Sequence, residues 1–266
     1  MIRSPRRRAL RGVAAGALAL LALSACSSGG SSSPGASADR MTGEITVYAA
    51  ASLKEGFTAL GKEFEKAHPG SHVEFSFGGS DTLAASITAG APADVFAAAS
   101  PKTMKTVTDA GDATGTPVVF VRNQLEIAVP PGNPRRISTL RDLTTTSGLK
   151  VALCAKEVPC GAAAQKALDA AGLKLTPVSY EQDVKGALTK VELKEVDAAV
   201  VYQTDVRAAA GKVDGVRFPE SAGAVNDYPI VLLKHSSEPE EARAFIALVR
   251  SAEGRKVLSR AGFLNP

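Results

Sequence analysis

Ser52 and Ser80 stand at matched places in the chain. Each follows a strand-length apolar run and a few small residues, and each opens a helical pattern. The first junction reads Ala49-Ala50-Ala51-Ser52-Leu53 and the second Gly78-Gly79-Ser80-Asp81-Thr82. Two further junctions follow, Val158-Pro159-Cys160-Gly161 and Glu181-Gln182-Asp183-Val184. A helix N-terminus carries unpaired backbone N–H groups and a partial positive charge. Several converging on one point therefore form an anion site without any cationic side chain. Serine adds a hydroxyl donor to its backbone donor. Taken singly, each junction has a plainer explanation, because Ser and Asp cap helices and Gly permits sharp turns. Capping is the expected role of Asp81 and Asp183.

Ligands in open α/β sheets sit at the carboxyl ends of strands, where helices begin, so the surrounding elements decide whether these junctions meet. Strands are expected at 44–49, 73–77, 93–98, 118–120 and 125–129, the last two separated by a polar break at Arg122-Asn123. Later strands are expected at 150–153, 176–179, 198–202, 216–218 and 228–233. Helical spacing runs through Leu53, Phe57, Leu60 and Phe64, then through Leu83 and Ile87, and over 162–171, 184–191 and 240–258. This alternation predicts α/β layers built on mostly parallel sheets. Aromatic residues are 5% of the chain and Trp is absent, so the core is made of small aliphatics, which suits strands covered by helices. Val95 and Phe96 are expected in that core.

The N-terminus says where the protein works. Arg3, Arg6, Arg7, Arg8 and Arg11 precede a short apolar segment, 13–23, and Leu23-Ser24-Ala25-Cys26 closes it. The segment is shorter than the roughly 20 residues a membrane-spanning helix needs, which marks a secretory leader. The cysteine after Leu-Ser-Ala resembles the bacterial lipobox, in which Cys26 is lipidated and becomes the mature N-terminus. The alternative is an ordinary leader cut near Ala25. Residues 27–38 are rich in Ser, Gly and Pro and read as a flexible tether. The chain carries 31 basic and 27 acidic residues. Losing the five leader arginines leaves 26 against 27, a formal net charge of −1. The high pI thus belongs to the leader, and no nucleic-acid partner is expected.

Six words in order carry a resemblance to the molybdate-binding proteins of bacterial ABC importers, a periplasmic binding protein family. They are AAASLKE (49–55), GGSDTLAASITAGAPADVF (78–96), VPCGAAAQKAL (158–168), EQDVKGAL (181–188), VVYQTD (200–205) and YPI (228–230). The resemblance spans 43–266. It implies a two-lobed type II periplasmic-binding-protein fold, each lobe a mostly parallel sheet flanked by helices, closing about a hinge. Lobe 1 would hold about 43–120 plus 228–266 and lobe 2 about 121–227, after a lipoprotein signal peptide (1–25) and a lipid-anchored linker (26–42). By motif position the ligand set falls on the hydroxyls of Ser52, Ser80 and Tyr202 and the backbone N–H groups of Cys160 and Val184. Cys160 stands where the family commonly has Ala, which leaves the main-chain donor in place. The implied ligand is molybdate or tungstate, with no cofactor and no directly coordinated metal. The implied partners are a membrane permease and its ATPase subunit. The protein would be a monomer on the outer face of the cytoplasmic membrane, held there by its lipid.

A fully deprotonated tetrahedral dianion offers only acceptors, so its matching lining is all donors. Hydrogenphosphate keeps a proton and wants an acceptor, so such a lining rejects it. Sulfate differs mainly in size, and a receptor for sulfate or another tetrahedral oxyanion remains the alternative. With Cys26 lipidated, Cys154 and Cys160 form an even pair in an oxidising compartment. A disulfide between them would stiffen the loop that presents the Cys160 N–H. A secreted serine hydrolase is the competing enzyme class. Yet GGSDT is not G-x-S-x-G, no His lies in the junction words to act as base, and Walker A and dinucleotide motifs are missing. His68, His72 and His235 show no metal-ligand spacing and are expected at the surface.

Overall fold

The computed structural model describes residues 41–266. The leader, Cys26 and the linker up to residue 40 lie outside the described residues. The first run of elements is β1 (Glu44–Ala50), α1 (Lys54–Ala67), β2 (His72–Gly78), α2 (Ser80–Thr88), β3 (Val95–Ala97) and α3 (Pro101–Asp109). Next come β4 (Ala113–Asn123), β5 (Leu125–Val129), α4 (Asp142–Thr145), β6 (Val151–Cys154), α5 (Pro159–Ala170), β7 (Ser179–Glu181), α6 (Val184–Glu192) and β8 (Ala198–Tyr202). The chain finishes with α7 (Gln203–Ala208), β9 (Asp214–Val216), β10 (Asn226–Leu233), α8 (Pro239–Arg250) and α9 (Ala252–Ala261). Short 3-10 turns occupy Ala51–Leu53 and Pro219–Ala224.

These strands form two five-stranded sheets, ordered β2-β1-β3-β10-β4 and β7-β6-β8-β5-β9. The two-lobed α/β architecture is the expected one, but each sheet is mixed rather than mostly parallel. In the first sheet β1 runs parallel to β2 and β3, while β10 runs antiparallel to β3 and β4. In the second, β6 is parallel to β7 and β8, and β5 is antiparallel to β8 and β9. The antiparallel pairs have one cause: the chain passes between the sheets from β4 into β5 and from β9 into β10, and β5 and β10 each enter their sheet in the direction opposite to their neighbours. Arg122 and Asn123, expected to break the structure, lie inside β4, which pairs with β10 as far as Asn123↔Asn226. The strand expected at 176–179 forms later, at Ser179–Glu181, because pairing with β6 sets its register.

The parallel halves do the positioning. Parallel neighbours point their carboxyl ends the same way, so β1, β2 and β3 end along one edge and β6, β7 and β8 along another. The lobes are filled differently. Around β1, fully buried Ile45, Val47 and Ala49 meet an aromatic cluster in which the Phe57 and Phe64 rings pack edge-on against Phe245 at 5.9 and 5.7 Å. Val95 and Phe96 are fully buried, as expected. The second lobe packs small aliphatics, among them Ala152, Ala163, Ala167, Ala187, Ala198 and Ala199. Alanine on both strand and helix lets α5 and α6 lie close on the sheet, which brings their N-termini to its edge.

Candidate functional site

Each strand end delivers a different donor. β1 runs into the turn that holds Ser52, which continues directly into α1. β2 ends at Gly78, and Gly79 leads to Ser80 as the first residue of α2. Beyond β6 a short loop reaches α5, with Pro159 and Cys160 in its first turn. Pro at that position donates no hydrogen bond, and the helix has no use for one there. Asp183 precedes α6, and its carboxylate accepts the Gly186 N–H at 2.9 Å, leaving Val184 as the first helical residue. β8 ends on Tyr202. In each first helical turn the N–H groups have no acceptor within their own helix.

These positions converge. Ser52, Ser80, Cys160, Val184 and Tyr202 all line a single cavity, together with Ala50, Ala51, Gly78, Gly79, Ala99, Val158, Pro159 and Asp183. Both sheets contribute to its wall. About 10 Å³ is open to the centre of a water-sized sphere, on the order of one such sphere. Among the described residues no Lys, Arg or His lines it. Asp183, the one carboxylate among those lining residues, is engaged with its own helix by the bond to Gly186. Asp81 behaves otherwise than expected. It sits inside the first turn of α2, past the capping position held by Gly79, and makes no cap hydrogen bond; it is absent from the cavity lining.

The lining is held by close packing and by bonds from behind. Cys154 and Cys160 are disulfide-bonded with Cα atoms 5.8 Å apart, tying the end of β6 to the start of α5. Gly161 touches that loop so closely that a Cβ would come within 1.9 Å of the Ala155 carbonyl oxygen. Ser80 Oγ accepts the Ala99 N–H at 3.0 Å. Ser52 Oγ and the Tyr228 hydroxyl are 2.8 Å apart and buried. Asn226 Nδ2 donates to the Tyr202 hydroxyl at 2.7 Å. Burial pushes both phenols above their ordinary range, so each keeps its proton and can donate it.

The two lobes meet around this cavity. A Cβ on Gly79 would stand 2.5 Å from the Gln182 carbonyl oxygen of the opposite lobe. Lys185 on α6 reaches Glu55 on α1 at 2.9 Å and Asp205 on α7 at 3.2 Å. Asp205 is fully buried, and its other oxygen accepts the Tyr202 N–H at 3.1 Å. Burial raises its carboxyl to about 6 against the pull of the Lys185 ammonium.

Residues 45–264 match the family model described as bacterial extracellular solute-binding protein. The chain belongs to this family. Among its solute-binding relatives, the molybdate-binding protein ModA of Mycobacterium tuberculosis H37Rv is 43% identical over 94% of this chain and 95% of its own. The periplasmic molybdate-binding protein of Azotobacter vinelandii superposes with a TM-score of 0.73 at 21% identity, covering 84% of this chain and 99% of that one. The sulfate-binding protein SubI of M. tuberculosis gives 0.70 at 20%, covering 83% and 86%. These two structural likenesses establish the solute-binding fold alone.

Sequence reasoning misses the residues behind the lining. Tyr228 lies in the word YPI and Thr204 in VVYQTD without an assigned role, and Asn226 carries no signal at all. Asn123 Nδ2 donates to Thr204 Oγ1 at 2.8 Å and to the Tyr228 hydroxyl at 3.3 Å. The polar pair Arg122-Asn123 at a strand end is the one hint available, and local pattern presents it as a break. Of the histidines, His72 pairs with Glu65 at 2.7 Å on the surface. Among the described residues no three His, Cys, Asp or Glu gather as a metal-holding group, and no helix is long and apolar enough to cross a membrane.

Proposed function

We propose that this chain is an extracytoplasmic receptor that captures molybdate, and tungstate with it, and hands the anion to the permease of an ABC importer driven by a separate ATPase subunit. One observation carries the reading. Five donor positions from two lobes line one small cavity whose described lining has no cationic side chain. Helix N-termini and neutral hydroxyls suffice for a dianion once water is shut out, because hydrogen bonds to an ionised acceptor are roughly twice as strong as neutral ones. Each lobe holds part of the set, so the anion is fully satisfied only when the lobes are together. Differential affinity for the closed state then drives closure about the strands that pass between the sheets. The 43% identity to a molybdate-binding protein supports molybdate over sulfate, whereas the fold is shared with a sulfate-binding protein and does not choose. The role is binding, not catalysis. Cys26 anchors the mature monomer by its lipid at the outer face of the cytoplasmic membrane, and residues 26–42 tether it.

Titration calorimetry of the mature protein with molybdate, tungstate, sulfate and phosphate tests the reading. Molybdate and tungstate are expected to bind at least ~100-fold more tightly than sulfate or phosphate, a gap of about 2.7 kcal/mol. Sulfate binding more tightly than molybdate would make this a sulfate receptor, and an absence of heat with all four would end the proposal.

A further inference from the structure

The three hydroxyls of the cavity share a feature: each oxygen already meets a protein group from behind. Ser80 Oγ accepts the Ala99 N–H. The Tyr202 oxygen accepts Asn226 Nδ2. Ser52 Oγ faces the Tyr228 hydroxyl, whose own oxygen accepts Asn123 Nδ2. Backbone groups fix which way both amides point. The Gln124 N–H donates to Asn123 Oδ1 at 3.0 Å, so Nδ2 must face Tyr228. The Ala99 carbonyl, 2.9 Å from Asn226 Nδ2, requires an N–H donor there and takes one of its two protons, which leaves the other for the Tyr202 hydroxyl at 2.7 Å ahead of the Pro159 carbonyl at 3.3 Å. With Asn123 donating to Tyr228, the Tyr228 proton is free for Ser52. A hydroxyl has a single proton, and an oxygen that accepts from behind is free to turn that proton forward.

We propose that Asn226 and Tyr228 are positioning residues that set oxyanion selectivity, by holding Tyr202 and Ser52 as donors toward the cavity. With the Tyr202 and Ser52 protons turned inward, those two hydroxyls offer the proton of hydrogenphosphate no acceptor, while a proton-free dianion meets a donor at each. The Tyr202 and Tyr228 rings pack edge-on, their centroids 6.1 Å apart. A charged ligand outcompetes any neutral oxygen nearby for the Tyr202 proton. The inference rests on the cavity being an oxyanion site, and it names residues outside the lining as the source of discrimination against protonated anions.

Asn226→Asp reverses one hydroxyl: the carboxylate accepts the Tyr202 proton and turns a phenolic lone pair inward. Tyr228→Phe frees the other, since Ser52 loses its donor. Calorimetry at pH 8, with molybdate, sulfate and phosphate on wild type and both variants, decides the matter. In Asn226→Asp, molybdate and sulfate should weaken together by about 10- to 100-fold, as expected for losing a hydrogen bond to a charged group. Phosphate should weaken less or tighten. The molybdate-to-phosphate preference then falls at least ~10-fold while the molybdate-to-sulfate preference holds within about twofold, since neither of that pair carries a proton. Tyr228→Phe should show the same pattern at roughly threefold, and it decides alone if Asn226→Asp does not fold. All three anions weakening in step, or phosphate staying undetectable in every protein, would overturn the proposal. A wild-type protein that binds neither molybdate nor sulfate would instead overturn the reading of the cavity itself, and this inference with it.

Discussion

Ser80 joins two functions in one side chain. Its Oγ accepts from the Ala99 backbone, which fixes the hydroxyl in place, and its proton stays available to the cavity. Ser80→Ala removes the hydroxyl while adding no bulk and keeping a good helix former at the start of α2. Molybdate affinity should fall by about 10- to 100-fold, since hydrogen bonds to charged groups contribute ~1.5–3 kcal/mol. The melting temperature without ligand should move by only a few degrees. Unchanged affinity would remove Ser80 from the site. Tyr202→Phe should cost less, because the remaining donors still surround the anion; calorimetry on the two variants side by side checks the order.

Among the elements, the site is a set of helix starts held at strand ends. The loop from β6 to α5 is the most constrained of them. Its disulfide closes a short ring, and Gly161 leaves no room between α5 and the Ala155 carbonyl. In the chain-entropy view so short a ring stabilises by about 2 kcal/mol. The double variant Cys154→Ala with Cys160→Ala should therefore melt several degrees lower, on the scale of ~2–4 °C per kcal/mol for a chain of this size. It should still bind molybdate, more weakly, because the N–H at position 160 survives while its loop loosens. Thermal melts with and without molybdate read both effects. Equal melting and equal affinity would leave the bond without a role in presenting that donor.

Across the two lobes, closure and burial are linked. Gly79 faces the Gln182 carbonyl across the cleft at a separation only glycine permits, although its φ of −60° suits any residue. Gly79→Ala should fold normally and fail to close, giving a larger radius of gyration in X-ray scattering with molybdate and an affinity at least ~10-fold weaker. A compact variant with wild-type affinity would contradict this contact. Asp205 couples the same region to pH. Its carboxyl is raised to about 6 from an ordinary 3.8, so the folded state holds the proton more tightly than the unfolded chain. The stabilisation from this group is full below about pH 4 and lost as pH rises through about 6. Against Asp205→Asn, the wild-type protein should gain relative stability as pH falls from 7 to 4, measured by denaturant melts. A constant difference across that window would refute the shift.

Much of this architecture is legible in the amino-acid order. The strand at Ala198–Tyr202 and the start of the helix at Val184 follow from local pattern: an apolar run bounded by a polar residue, and Asp183 as a cap. The four strand-to-helix junctions are visible for the same reason, since composition at a junction reports local backbone needs. Local pattern fails where pairing decides. β7 takes the register that β6 imposes, α7 is too short and polar to show a period, and Asp81 lies just past the position from which it could cap. Residue types and their spacing are enough to show which groups can donate and that they sit at strand ends. The placement of Tyr228, 176 positions from Ser52, and of Asn226, 24 from Tyr202, behind those donors belongs to the folded molecule alone. Hydrogen bonds between distant segments leave no periodicity in a chain; they exist only once two sheets have folded and the crossings between them have brought their ends together.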